Sequence, residues 1–255
     1  MSINISYTPP RYLLRRYEVL RHVRPGKQFI EIGAGHLKLS LDLLNSFESG
    51  TALDYSKYIE SAYQALPASV QQRLTLSIGD IQELHIKTQF DCVVSCEVME
   101  HVEDDRLFLR QIKSLLCPDG QIILSVPSRM KYWAIDDEIV GHFRRYERKD
   151  IINLFKDVGF ENIKLLSYGF PFTNLLRLLR ILLAKKQQRR KKHWDQRQLT
   201  EESGVHHASG IPNFLAIFVN RYTMLPLNII ASLFNRFDWS DGYIIIAKKQ
   251  KSRDP

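Results

Sequence analysis

The residues best placed to do chemistry lie at the ends of three short apolar runs. Glu31-Ile32-Gly33-Ala34-Gly35 closes the first. Glycines there let the backbone approach a ligand closely and reach positive φ. Asp54, followed by Tyr55, closes the second run, about 20 residues beyond the glycines, where a carboxylate accepts hydrogen bonds from ribose hydroxyls. Asp80, after Gly79, closes the third, at the level of a base's exocyclic amine, and Ile81 can lie against the base's flat face. Taken singly, each aspartate reads equally well as a helix cap or turn residue. Three such groups in this order are a much rarer coincidence.

The ligand these ends suit is an adenosine carrying positive charge rather than a pyrophosphate. A dinucleotide turn wants a third small residue for close helix–strand packing, and that position is Lys38. Glu31 would repel a pyrophosphate but suits an ammonium and a sulfonium.

Two further groups follow. Glu97 and Glu100 are three residues apart with His101 beside them, so their side chains converge if a helix starts there; equally, the glutamates favour a helix N-terminus and His101 packs nearby. Asp136-Asp137-Glu138 precedes Gly141-His142-Phe143-Arg144-Arg145. An imidazole suits a general base near neutral pH, so His142 is a candidate, with Glu138, four residues earlier, to orient it. The bland alternative is a structural histidine beside solvated arginines.

The elements that must position these residues alternate in type. Helical spacing covers 11–23, opened by Pro9-Pro10, then 38–47, 56–66, 105–116 and 150–158. Apolar runs at 28–32, 51–54, 74–78, 90–95, 121–126, 161–167 and 243–247 read as strands, with a turn at Pro118-Asp119-Gly120. Continuous rather than alternating apolar strands between helices predict a doubly wound α/β fold, with a mostly parallel seven-stranded sheet buried on both faces.

Composition allows this. The chain has 255 residues, 44% hydrophobic and 25% charged, enough for one large domain or one domain carrying a sizeable insertion. Cys92, Cys96 and Cys117 lack metal-ligand spacing and, with a polar N-terminus, point to a reducing, cytoplasmic setting. No apolar run reaches the roughly 18 residues of a spanning helix.

The formal net charge of +8 is concentrated: residues 170–238 carry +7, and residues 1–169 are near neutral. Within them Leu175, Leu176, Leu178, Leu179, Leu182 and Leu183 share one face of a helix, and Arg177, Arg180 and Ala184 take the other. Lys185 to Lys192 form a basic run, and 214–237 is again apolar. Such a segment lies on an anionic membrane surface, at the inner face in this setting, or packs on the sheet and lids an acceptor pocket; the two are compatible.

Glu31-Ile-Gly33-Ala-Gly35, Leu53-Asp54-Tyr55, Gly79-Asp80-Ile81, Phe90 to Glu97 and Leu116 to Gln121 together resemble the class I S-adenosylmethionine-dependent methyltransferases. The resemblance covers about residues 25–170 and implies a Rossmann-like fold with a helical insertion before the last strand. It implies that Glu31, Gly33, Ala34 and Gly35 face the donor's methionine part, Asp54 with Tyr55 its ribose, and Gly79, Asp80 and Ile81 its adenine. Cys96 would offer backbone to the amino group, beside Glu97. The family often has glycine where this chain has Leu37.

Glu97 to Val102 is similar to the quinone-biosynthesis O-methyltransferases. In some relatives a Glu-x-x-Glu-His cluster binds a divalent metal such as magnesium, which would make Glu97, Glu100 and His101 ligands here; many carry the string without one. The organisation expected is a helix over the donor site (1–24), the donor-binding domain (25–171), the basic insertion (172–240), and a last strand and tail (241–255). The expected activity is methyl transfer to a small or lipid-like acceptor at oxygen or nitrogen, with His142, His101 and Glu138 as catalytic candidates. Oligomeric state is left open. RNA methylation through the basic insertion is an alternative, weakened because that run lacks aromatics for stacking; a membrane-associated, non-catalytic donor-binding protein is another.

Overall fold

Each apolar run becomes a strand of one sheet in the computed structural model, which describes residues 8–84, 86–191 and 219–250. The strands are β1 (Gly26–Ile32), β2 (Phe47–Asp54), β3 (Leu74–Ile78), β4 (Phe90–Cys96), β5 (Leu116–Pro127), β6 (Phe160–Ser167) and β7 (Gly242–Lys249). Their order is β3-β2-β1-β4-β5-β7-β6, parallel except for β7, which is antiparallel to β5 and β6. The winding direction reverses between β1 and β4, and in open α/β sheets ligands bind at the carboxyl ends beside that switch point.

Helices cover both faces. One core packs α5 (Asp105–Leu115) and α7 (Arg148–Val158) against Ile30, Val93, Ile122 and Ile245. The other packs α1 (Pro10–His22), α2 (Lys38–Leu43) and α3 (Tyr58–Gln64) against Phe29, Ala52, Val94 and Ile244. Successive strand residues therefore serve opposite cores, as a strand's two-residue period requires. A short α4 (Ala68–Gln71) precedes β3, and α6 (Ile135–Val140) follows β5.

The boundaries differ from expectation for local reasons. β2 starts at Phe47 because Gly50 lies across the Phe29 ring, where an added Cβ would sit 2.1 Å from Phe29 Cε1. That leaves α2 only Lys38–Leu43. The Pro118-Asp119-Gly120 turn is absorbed into β5 as an irregularity, with Asp119 at φ 64° and a register shift between Phe90 and Cys92.

Between β6 and β7 lies the expected insertion, with α8 (Phe172–Lys191) and α9 (Leu225–Ser232) among the described residues. The two faces of α8 separate as predicted but point the other way from a sheet-packing helix. Leu175, Leu178, Leu179 and Leu182 are 72%, 68%, 45% and 63% exposed. Arg180 instead turns inward to Asp241 and Asp136, and Arg177 donates to the Tyr132 carbonyl. The expectation that these leucines pack on the sheet is thereby corrected: buried Asp241 claims the arginine face. Leu183, Lys192, residues 214–218 and the side chains of Lys185 to Lys191 lie outside the described residues, as do residues 1–7. No helix among the described residues is long and apolar enough to cross a membrane.

Candidate functional site

Parallel pairing of β1 with β2 and of β2 with β3 places the ends of all three strands side by side. The amides of Gly33 and Ala34 both donate to the Leu53 carbonyl, at 2.8 and 3.1 Å. The Gly79 amide donates to the Asp54 carbonyl at 2.9 Å. Gly33 needs its glycine: φ is 78°, and a Cβ would come within 2.3 Å of Val98 Cγ2. Leu37 occupies the left-handed region at φ 61° while its side chain is 1% exposed, so the position where glycine is expected has glycine's backbone and a core residue's side chain.

Asp54 is 9% exposed, and its carboxylate accepts from the Gly35 amide at 2.8 Å and the Ser56 amide at 2.9 Å. It thereby clamps the glycine turn to the end of β2. Tyr55 beside it is half-buried. Asp80 is exposed and accepts from the Gln82 amide at 2.9 Å, next to buried Ile81.

Glu31, paired between Ala52 and Val94 in mid-sheet, projects toward α1 and α2. It is 3% exposed and accepts from the Ser40 hydroxyl. Burial, aided by the nearby Asp54 charge, outweighs the Ser40 bond and the Arg15 charge and lifts its carboxyl to about 8.

Helix α1 reaches the same end of the sheet. Arg11 and Arg15, one turn apart, lie 3.2 and 3.5 Å from Glu97. Glu97 also accepts from Ser125 Oγ at 3.0 Å and has φ 57° at the end of β4. Burial alone would raise its carboxyl, but the two guanidiniums carry it down to about 2. Half-buried Cys96 precedes it. These arginines were missed in the sequence; their four-residue spacing on α1 was the available signal.

A second polar group lies beyond β4. Glu100 is fully buried, and neither carboxylate oxygen has a hydrogen-bond partner. Burial and the Glu97 charge hold its carboxyl well above the usual range. His142 Nε2 is 3.7 Å from Glu100, and the His101 and His142 rings meet edge to face at 4.7 Å. Ligand atoms of Glu100, His101 and His142 lie within 4.8 Å of one another. Burial and the neighbouring His142 push His101 down to about 3, so it is neutral at ordinary pH. Two imidazoles and a buried carboxylate otherwise short of partners fit a small divalent cation. Glu97, expected beside them, turns to the arginines instead.

The carboxylate that holds His142 is Asp137: His142 Nδ1 donates to it at 2.8 Å. Glu138, expected in that role, is exposed. The first turn of α6 presents Asp137 inward, where buried Arg145 also donates to both its oxygens at 2.9 Å. Burial opposes its charge, but the bonds from His142 and Arg145 prevail and set its carboxyl at about 2.

Comparison with known proteins agrees with this architecture. A model of the methyltransferase domain family matches residues 8–165. The mitochondrial ubiquinone biosynthesis O-methyltransferase of Schizosaccharomyces pombe is 32% identical over 112 residues, covering 43% of this chain and 41% of that protein. A probable S-adenosylmethionine-dependent methyltransferase of Mycolicibacterium smegmatis is 27% identical over 158 residues, covering 59% and 60%. The chain thus spans about two fifths to three fifths of the length of these curated relatives. Among solved structures, a Haloferax volcanii complex of the Trm112 methyltransferase activator with a putative methyltransferase superimposes with TM-score 0.60 at 15% identity, covering 94% and 90%. With its matched residues running from α1 through most of β6, the chain belongs to the methyltransferase domain family, and its fold is that of the class I S-adenosylmethionine-dependent methyltransferases.

Proposed function

We propose that this methyltransferase moves the methyl group of S-adenosylmethionine to an oxygen or nitrogen of a small or lipid-like acceptor held between β4 and the loop after β5. The observation that carries the reading is the Gly35–Asp54 hydrogen bond at 2.8 Å, beside buried Glu31. It joins a backbone cradle to two carboxylates, as an adenosyl sulfonium requires. The donor supplies a methyl already activated on sulfur, so the protein's work is alignment and exclusion of water.

Glu31, Gly33, Ala34 and Gly35 border the methionine part, and Arg15 meets its carboxylate. Asp54 and Tyr55 take the ribose; Gly79, Asp80 and Ile81 take the adenine. Cys96 and Glu97 close the cradle from β4. His142 accepts the acceptor's proton at Nε2 while Asp137 holds Nδ1–H, so Asp137 acts as a positioning residue and Glu138 has no part. His101 flanks the acceptor. In a metal-loaded form, Glu100, His101 and His142 would instead hold a divalent cation such as magnesium, which would take the His142 Nε2 lone pair and acidify an acceptor hydroxyl in place of that base. The relative named for ubiquinone biosynthesis supports a small apolar acceptor with an oxygen nucleophile.

Titration calorimetry with S-adenosylmethionine tests the donor assignment. Micromolar binding that yields S-adenosylhomocysteine when acceptors are screened is the expected result. No binding by folded protein sinks it. Manganese or magnesium binding that Glu100→Gln removes tests the cation.

A further inference from the structure

We infer that the outward face of α8, continued by the aromatic ridge at Phe237 and Trp239, docks this protein on an anionic lipid bilayer. The helix is held in a fixed roll. Arg180 pairs with buried Asp241 at 2.5 Å and with Asp136 at 3.6 Å, and Arg177 caps the Tyr132 carbonyl. With Arg177 and Arg180 facing the protein, the described side chains of α8 most open to solvent are leucines, and Leu175, Leu178 and Leu182 are each more than 60% exposed.

The ridge is continuous with that face. Asn174 Nδ2 donates to the Trp239 carbonyl at 2.9 Å, and Phe170 meets the Trp239 ring at 5.3 Å. Phe237 stacks on Trp239 at 4.7 Å, and both remain nearly half exposed. Exposed aromatics beside a leucine stripe are the side chains that settle at the boundary between headgroups and acyl chains.

Charge identifies the occupant. Continuing the stripe's three- and four-residue spacing beyond Leu182 reaches Lys185, Lys186, Arg189 and Arg190, within a run of six basic residues and no acidic one. Residues 170–238 carry net +7. A second copy presenting the same segment would be repelled, whereas an anionic leaflet attracts it over a Debye length. The surface is one for lying on a membrane, since no described helix can span one. It would set the mouth of the acceptor side against lipid. Vesicle binding needs no turnover, so its failure is separate from failure of the methyl-transfer reading.

The test is flotation of the whole protein with phosphatidylcholine vesicles and with vesicles containing phosphatidylserine. The protein should float with the anionic vesicles, remain below with the neutral ones, and release in high salt. Leu178→Glu with Leu182→Glu should cut the bound fraction at least about tenfold, with unchanged circular dichroism and donor binding. Replacing Lys185, Lys186, Arg189 and Arg190 by Gln should do the same on anionic vesicles. Wild-type protein that stays below, a leucine variant that floats as well, or a wild-type dimer that Leu178→Glu dissolves would each overturn the assignment.

Discussion

Gly35 and Asp54 are joined by one hydrogen bond of 2.8 Å, so the turn after β1 and the end of β2 act as a single part. Asp54→Ala removes the acceptor of two amides at once, those of Gly35 and Ser56. We expect donor affinity to fall more than tenfold and the protein to lose about 1–3 kcal/mol of stability, the usual cost of stranding buried donors. Asp54→Asn, which keeps one carbonyl oxygen, should recover part of the stability but less of the affinity. Calorimetry and thermal unfolding read the two effects.

With Glu31 at the proposed donor site, donor binding should depend on pH. Its carboxyl sits near 8 before the donor arrives, so at pH 7 it carries a proton that a cationic ligand must displace. Affinity should therefore rise with pH up to about 8, by at most about tenfold per unit for one proton, and level off above it. Proton release should appear in buffers of differing ionisation enthalpy. Folding runs the other way. The folded protein holds the extra proton between the unfolded value of 4.5 and about 8, so stability falls as pH climbs through that window. Glu31→Gln should abolish both dependences.

Asp137 and Glu138 are neighbours with different fates. Asp137→Asn should lower kcat about 10–100-fold, the scale of a misdirected general base, and Asp137→Ala should cost about 3–5 kcal/mol by stranding buried Arg145. Glu138→Gln should change neither kinetics nor melting. Because the Asp137 carboxyl is depressed to about 2, its contribution to stability is whole above 3.8 and lost as pH falls toward 2.

Leu37→Gly sets two effects against each other. Relief of a left-handed backbone returns about 1 kcal/mol, while deleting a leucine that is 1% exposed removes about 3 kcal/mol or more of packing. Packing wins, and net destabilisation near 2 kcal/mol is the expected outcome of denaturant unfolding.

Much of this architecture could be read from the chain. Strand positions follow from uninterrupted apolar runs, and the three strand-end motifs meet because parallel pairing sets consecutive strand ends side by side. The choice of Asp137 over Glu138 could not be read, because a six-residue helix opening on three adjacent acids leaves the inward one undecided until its N-terminus is placed. The direction of α8 was hidden for a related reason. Its pattern separates leucines from arginines, but the side that faces the protein depends on Asp241, which stands 61 positions beyond Arg180. Arg11 and Arg15 became partners of Glu97 only once α1 was folded across the end of β4.

Asp241 is completely buried, yet guanidiniums from α1 and α8 converge on its carboxylate, and Arg145 donates to its carbonyl. The outer helix and the N-terminal helix are therefore fastened to one post. A chimera that swaps residues 172–240 for a relative's must import a cation at position 180, or the transplanted segment will loosen α1 as well as its own attachment.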